Sequence, residues 1–471
     1  MTTVTATTAN GAQTNATSGT PVLDLFFTIG ASRRRSEEEI RTQFRAAYAQ
    51  DPELATRVGL WARDARGGAG ERRAFRVIFR DLIEIDPDRA QRVLALIPEL
   101  GRWDDVLVAL ETPLESAAVD LIAFGLERGD RLCGKWMPRK GPQAARLRRA
   151  LGMTPKRYRK TLVGLTSVVE TQMCGGDWDG INYGSVPSVA HSRYRKAFGR
   201  HSPERYREYL DSIKRGEAKI NAGAVMPYDI VRGVGISSYY QRVNLDAATA
   251  DSIRAQWAAL PDLGLEGDIL PVIDVSGSMG CAVSGSTTAM DVAVSLGIYL
   301  SERIRGKFAN KFVTFSDDPN LVDLEGDIIT KIRTVSNSDW GMSTNIEAVF
   351  QLIVETARAY SLTQEDLPSK VLILSDMEFN QATGSGYWGR SSEPTNFEAI
   401  DAMFTQLGYQ RPDLVFWNIN GRSGNVPVTL GDGGTALVSG FSPNIARAVM
   451  GDDIDPESVM LTAVNNERYD H

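Results

Sequence analysis

Cysteine and histidine are scarce in this chain of 471 residues, which has three of each. The cysteines, Cys133, Cys174 and Cys281, are far apart and lack the spacing of metal ligands. This usage is typical of a reducing compartment and of small buried side chains. So few histidines leave little material for histidine-based catalysis or for a zinc site.

Long apolar runs are also missing, since none approaches the ~20 residues that span a bilayer. The first 21 residues lack both the basic and the apolar region of a secretory signal. We therefore expect a cytoplasmic protein with no membrane partner. Because Thr, Ala, Asn and Gly dominate residues 1–21 and cannot build a core, this segment is predicted to be a disordered tail.

Acidic residues are few in one part of the chain only. The net charge of the whole is -7, which alone argues against nucleic-acid binding. Between Arg131 and Lys219, however, twenty lysines and arginines stand against seven acids, so that this part carries +13 and the remainder -20. Such asymmetry predicts a basic surface on an acidic body.

The most basic stretch, Lys135–Lys160, contains no acid at all, and Trp136 and Tyr158 lie among its cations. RNA binding uses cations for phosphates and planar side chains for unpaired bases, although a solvated or partner-facing helix surface has the same composition. A second stretch, near His191, also places aromatic residues among cations. A lone histidine, however, is more often a packing residue than a ligand. The RNA-binding candidates are Lys135, Arg139, Lys140, Arg146, Arg148, Arg149, Lys156, Arg157, Arg159, Lys160, His191, Arg193, Arg195 and Lys196.

A short apolar run, Ile269–Ile273, ends on Asp274, and Ser276 and Ser278 follow at alternate positions. The run is typical of a buried parallel strand, whose carboxyl end is where an open α/β sheet places its ligand site. One carboxylate and two hydroxyls are hard oxygen donors that suit Mg²⁺. The pattern therefore predicts a divalent-metal site.

Residues 274–278, Asp-Val-Ser-Gly-Ser, resemble the metal-ion-dependent adhesion site of von Willebrand factor A domains. The resemblance implies a further ligand from each of two later loops, for which Thr344 and Asp376 stand in the right order. The sequence departs from the family at Asn345, where the family often has Asp. This change should lower the negative charge around the metal without removing a direct ligand.

The spacing of apolar residues divides the chain into two modules. Residues 22–262 show apolar residues at helical spacing in short segments, which predicts an α-helical repeat module of the HEAT-like kind. Residues 263–471 alternate strands and helices, which predicts a doubly wound, Rossmann-like sheet of order 3-2-1-4-5-6. A near P-loop at residues 129–136 is rejected as a nucleotide site, because Trp136 replaces the Ser or Thr that would hold Mg²⁺.

Two inter-helix segments, residues 63–72 and 97–105, resemble the helical-repeat module of Ro ribonucleoprotein (TROVE) proteins, and the order of the two modules is similar too. The resemblance implies a helical ring closed by the A domain. It also implies that such a ring binds small non-coding RNAs on its basic outside and single-stranded RNA ends through its centre.

Two functional hypotheses follow. The first is a Ro-like protein that binds small non-coding, single-stranded or misfolded RNA, without DNA sequence specificity, and holds Mg²⁺ in the A domain. The second is a metal-dependent protein-interaction module, in which an acidic residue of a protein partner completes the metal shell. We do not expect an enzyme, because the sequence offers no base near Ser276 and no second carboxylate cluster.

Overall fold

The computed structural model describes residues 5–166, 168–232, 234–236, 245–314, 319–338, 345–379, 396–421, 425–451 and 454–471. It has an α-helical module followed by an α/β module, as the sequence predicts. Among the described residues, no helix combines the length and the apolarity needed to cross a membrane.

Short helices, many of them paired, form the first module. Their starts follow from the sequence: Ser36 and Glu39 form a capping box, and Asp51 and Asp86 each cap a helix that begins with proline. The helices are α1 Pro21–Ile29, α2 Glu37–Gln50, α3 Pro52–Arg63, α4 Arg72–Ile85, α5 Pro87–Leu100, α6 Glu115–Glu127, α7 Arg131–Trp136, α8 Gly141–Ala150, α9 Pro155–Leu165, α10 Val169–Cys174, α11 Ser188–His201, α12 Pro203–Lys214, α13 Pro227–Ile230 and α14 Ala247–Ala258.

The second module is built on one sheet of six strands. The strands of the chain are β1 Thr5–Thr7, β2 Gln13–Asn15, β3 Leu265–Glu266, β4 Ile269–Ile273, β5 Ala282–Ser284, β6 Thr287–Thr288, β7 Ile304–Arg305, β8 Lys311–Thr314, β9 Leu321–Asp323, β10 Lys370–Ser375, β11 Asp413–Asn418 and β12 Thr435–Ser439. The helices of this module are α15 Ala289–Arg303, α16 Ile328–Asn337, α17 Ile346–Ala359, α18 Asn396–Gln406 and α19 Pro456–Val464.

The order of the sheet, β12-β11-β10-β4-β8-β9, is the predicted 3-2-1-4-5-6 arrangement. Its strands are parallel except β9, which pairs antiparallel with β8 at the edge. Strands β4 and β10 are buried along their whole length, as their apolar sequences predict. Helix α15 packs closely on β4 through Gly297, where a side-chain Cβ would lie 2.3 Å from the Ile273 side chain.

Residues 5–20 differ from the predicted disordered tail. Strands β1 and β2 form a hairpin, and Asn15 bridges to Val426 of the α/β module. The Thr8 hydroxyl donates to the Phe379 carbonyl at 2.7 Å, and Ala12 is buried. The segment has too few apolar residues for a core of its own, but its backbone and threonines are satisfied by a surface that lies about 400 residues away in sequence.

The helical module is attached to the α/β module at both of its ends. At the first end, the Gly30 amide donates to Ser439 Oγ at 3.0 Å, which packs α1 on the edge strand β12. At the second end, Trp257 of α14 donates to Glu302 at 2.7 Å and Arg254 pairs with Asp327 at 2.6 Å. The helices therefore leave the α/β module at α1 and return to it at α14.

The close approach at Gly30 generates a stability prediction. A Cβ at Gly30 would lie 2.1 Å from the Ser439 carbonyl oxygen, so Gly30→Ala must separate α1 from β12. We expect Gly30→Ala to lower the free energy of unfolding by about 1–3 kcal/mol or more, measured by urea denaturation. The matched control is Gly164→Ala in α9, where nothing lies within 4 Å of the added methyl group; this change should be neutral or stabilising. Equal stability of the two variants would contradict the packing described.

Candidate metal site and cationic surface

The candidate metal site lies at the carboxyl edge of the sheet, where β4 and β10 end side by side. Ile273 is in register with Leu374, and the Asp274 amide donates to the Leu374 carbonyl at 2.9 Å. The loops that follow the two strands therefore start at the same level. This brings Asp274 and Asp376 to one place, although they are about a hundred residues apart in sequence.

Hydrogen bonds connect the candidate ligands directly. The hydroxyls of Ser276 and Ser278 are 3.1 Å apart, and Ser278 Oγ donates to Asp376 Oδ1 at 3.3 Å. The Ser276 amide donates to Asp274 Oδ1 at 2.9 Å. Four of the five predicted ligands are thus brought together, while the fifth, Thr344, lies outside the described residues.

Ser375 is a member of this cluster that the sequence analysis missed. Its hydroxyl donates to Asp274 Oδ2 at 2.5 Å and accepts from the Met377 amide at 3.0 Å. It therefore fixes the orientation of the Asp274 carboxylate. Its position could have indicated this role, because Ser375 is the last residue of β10 and directly precedes Asp376.

The two carboxylates are costly to keep charged. Asp274 and Asp376 are almost completely buried, with 0% and 1% of their surface exposed. Burial, and then the charge of Asp376, raise the pKa of Asp274. A divalent cation among these oxygens would offset both effects, so the donor set fits Mg²⁺. In the described ranges, no three His, Cys, Asp or Glu side chains gather as a metal-ligand group, so the donors here are two carboxylates and hydroxyls.

The N-terminal hairpin contacts the loop that carries Asp376. The Ala9 amide donates to Glu378 Oε2 at 2.6 Å, and Asn10 Nδ2 donates to the Glu378 carbonyl at 2.6 Å. Glu378 in turn donates its amide to Asp376 Oδ1 at 3.3 Å. The hairpin therefore supports one wall of the candidate metal site.

The cationic surface is the exposed part of the most basic stretch. Within the described part of the chain, none of its side chains lies within ion-pair distance of a carboxylate. Arg139 donates to the Thr166 hydroxyl at 2.7 Å and Arg149 to the Ala145 carbonyl at 3.2 Å, but neither contact neutralises a positive charge, so these cations can still attract an external anion. The residues of the cationic surface are Arg139, Lys140, Arg149, Lys156, Arg157, Arg159 and Lys160.

Three other candidates of this stretch are engaged inside the protein. Arg146 forms ion pairs with Glu115 and, at 3.2 Å, with Glu111. Lys135 lies 3.4 Å from Glu170, and Arg148 donates to a backbone carbonyl, that of Met153. The acid-free stretch is thus partly neutralised by acids from α6 and α10, which a count within the stretch does not detect.

The second stretch also divides into exposed and buried residues. Arg193 and Lys196 are exposed on α11. Arg195 is buried and donates to the carbonyls of Ile230 and Arg232 at 2.7 and 2.8 Å. His191 is completely buried, and its Nε2 lies 2.9 Å from the Tyr206 hydroxyl. The expectation of RNA contacts is therefore corrected for His191 and Arg195, which lie in the interior and hold helices together.

Comparisons with known proteins match both modules. Residues 268–470 match a domain of unknown function, DUF7788, and residues 8–96 and 130–263 match a second domain of unknown function, DUF2828. The chain is 27% identical, over 515 aligned residues, to the uncharacterized protein L728 of Acanthamoeba polyphaga mimivirus; the alignment covers 96% of this chain and 86% of that one.

The crystal structure of the Ro (RSR) protein of Deinococcus radiodurans is similar to this structure with a TM-score of 0.46 and 14% identity. The superposition covers 92% of this chain and 94% of that chain.

The buried His191 generates a prediction about pH. Burial lowers the pKa of His191 to about 3, whereas an unfolded histidine titrates near 6.5. Below pH ~6.5 the unfolded chain binds a proton that the folded chain does not, so this histidine costs stability as the pH falls towards 3. The cost is about 2 kcal/mol at pH 5.

Replacing His191 by glutamine should therefore reduce the loss of stability between pH 7 and pH 5, measured by urea denaturation at both values. His201→Gln is the control, because it makes the same substitution at an exposed ring, stacked on Trp178 at 4.2 Å, and so isolates the effect of burial. An identical acid loss in wild type and His191→Gln would contradict a neutral His191.

Proposed function

We propose that this protein binds RNA through its helical module and holds a divalent cation in its α/β module. The observation that carries the proposal is the cationic surface, on which seven exposed lysines and arginines have no carboxylate partner in the described residues. Phosphates are the ligands that exposed cations without carboxylate partners, close together in the chain, attract most strongly.

The positions of these cations strengthen the proposal. Lys156 and Arg157 lie in the first turn of α9, and Lys140 precedes the first turn of α8. Neither first turn contains an acid. The amino end of a helix is already positive, so cations there are unfavourable by up to ~1 kcal/mol each. Phosphate groups would relieve this repulsion, and at α8, where no side chain caps the first turn, they would also accept from free backbone amides.

RNA is favoured over duplex DNA because Trp136, which is partly exposed in the basic stretch, can stack on an unpaired base; Tyr158 is buried and does not contribute. The resemblance of residues 63–72 and 97–105 to Ro proteins points to small non-coding RNAs and single-stranded ends. The action proposed is binding rather than catalysis. All three histidines lie in or against the helical module: His191 in its core, His201 on Trp178, and His471 beside Arg89 at 2.7 Å.

For the metal, we propose Mg²⁺ held by Asp274, Ser276, Ser278 and Asp376, with Thr344 as a further ligand on the basis of the sequence. The cation would neutralise the buried carboxylates and offer a coordination position to an outside oxygen. A second function fits the same site, because a carboxylate of an acidic protein partner could supply that oxygen. The observation behind this alternative is the buried pair Asp274 and Asp376, because a cation held by only two carboxylates can still accept a further oxygen ligand from a partner.

The RNA proposal predicts a specific change in salt dependence. We expect neutralisation of Lys156, Arg157 and Lys160 by glutamine to weaken binding of a labelled single-stranded RNA, measured by fluorescence anisotropy. The slope of log affinity against log salt should fall in magnitude by about 2, because each lost contact to a single strand removes ~0.7.

The matched control neutralises three exposed arginines outside the cationic surface that are in no ion pair among the described residues: Arg92, Arg333 and Arg358. Affinity and slope should then remain those of the wild type. Equal losses in the two triple variants would show a general charge effect and reject the cationic surface as the RNA site.

The metal proposal predicts that the effect of Asp274→Asn on the unfolding temperature depends on whether Mg²⁺ is present. In EDTA the variant should unfold at a higher temperature than the wild type, because the repulsion between Asp274 and Asp376 is removed. Added Mg²⁺ should raise the unfolding temperature of the wild type and not that of the variant. The control is Asp401→Asn, which changes an exposed carboxylate on α18. An Mg²⁺ effect that persists in Asp274→Asn would reject the site.

A further inference from the structure

A wide groove lies on the helical module and has no role in the function proposed above. Its volume is about 950 Å³, within the range of small-molecule sites. Helix α4 forms one wall with Arg76 and Arg80, and Trp136 and Gln143 contribute from α7 and α8. Since Gln143 and the cationic surface share α8, the groove and that surface are neighbours along the same helix.

Trp136 is the aromatic side chain of the groove, and it is partly exposed. The Arg102 guanidinium lies over the indole at 3.6 Å from the ring centroid, and Lys135 Nζ is 5.5 Å away. In the part of the chain that the structure describes, the indole N–H has no hydrogen-bond partner. Arg102 therefore already stacks on one side of the Trp136 ring, while the indole N–H remains available as a donor.

The lining contains the three carboxylates of Glu84, Asp104 and Glu111, and each of them lies near an arginine. Asp104 is 2.9 Å from Arg76, Glu84 is 3.2 Å from Arg41, and Glu111 is 3.2 Å from Arg146. Arg80, in contrast, has a side chain that is 56% exposed, and its contact with Glu37 is 4.0 Å long. A complementary ligand therefore presents a flat face to Trp136 and an anionic group to Arg80.

We infer that the groove takes one unpaired base of a single-stranded RNA, stacked on Trp136, with Arg80 on the adjoining phosphate. The inference rests on the proposed RNA function and adds a base subsite to it. Every nucleobase has a face that can stack and acceptors for the indole N–H and Gln143, so the subsite holds a base without requiring one sequence. The cationic surface, in comparison, contacts the backbone.

The test compares two strands of equal length, oligouridylate and a strand of stable abasic ribose units, binding to the full chain. For oligouridylate, Trp136→Ala should weaken binding by about 10- to 100-fold, as expected for a lost stacking contact. The slope of log affinity against log salt should stay at its wild-type value, because no phosphate contact is lost. For the abasic strand, Trp136→Ala should change the affinity by less than twofold.

Two further variants keep the test independent of folding defects. Trp136→Phe, which retains a stacking face, should recover most of the oligouridylate affinity. Trp178→Ala removes another partly exposed tryptophan, stacked on His201 outside the groove, and should bind like the wild type.

Three results would overturn the inference. Wild-type affinity of Trp136→Ala for oligouridylate would reject the base subsite while leaving the RNA function standing. An equal loss for the abasic strand would show that Trp136 supports the fold rather than a base. Absence of salt-dependent binding of either strand by the wild-type chain would reject the RNA function itself, and the subsite with it.

Discussion

The buried carboxylate of Asp64 ties the corner between α3 and α4 to the end of the α/β module, in addition to the attachments at α1 and α14. It has no exposed surface, and it accepts from Arg468 Nε at 2.9 Å, from the Tyr469 hydroxyl at 3.2 Å and from the Arg66 amide at 2.9 Å. A charge that is buried this completely is stable only with all of its partners in place. The helical module and the end of the α/β module therefore cannot separate without exposing or stranding a charge.

This attachment fixes the helical module to the α/β module. The two modules carry chemically different groups. The α/β module concentrates buried carboxylates at the edge of its sheet, whereas the cationic surface lies far along the chain on α8 and α9. Positive and negative groups are thus kept apart at the level of whole modules, although ion pairs such as Arg146 with Glu115 neutralise some cations locally. The cations that remain unpaired give the protein its proposed affinity for phosphates.

Much of the α/β module could be predicted because its signals are local. Buried strands have continuous apolar runs, and Asp274, Ser276 and Ser278 follow one of them directly. The order of the sheet then brings Asp376 to the same edge. The antiparallel edge strand β9 was not predicted, since its three residues carry little pattern.

The features that sequence analysis missed depend on partners that are distant in sequence. The N-terminal hairpin is ordered by Val426 and the residues around Glu378, so its composition alone indicates disorder. His191 and Arg195 have the same neighbours in sequence as the exposed Arg193 and Lys196, and only the packing of α11 separates the two pairs. In each case the deciding contact is tertiary, and composition or spacing cannot supply it.

The contacts of Asp64 with Arg468 and Tyr469 also have a consequence for folding during synthesis. Arg468 is translated 404 residues after Asp64, so this carboxylate acquires its arginine partner only after the strands of the six-stranded sheet have been translated. Until then, water has to take the place of Arg468 and Tyr469, because a buried charge without its partners is costly. The corner between α3 and α4 can therefore bury this charge only after β12 and α19 have been translated.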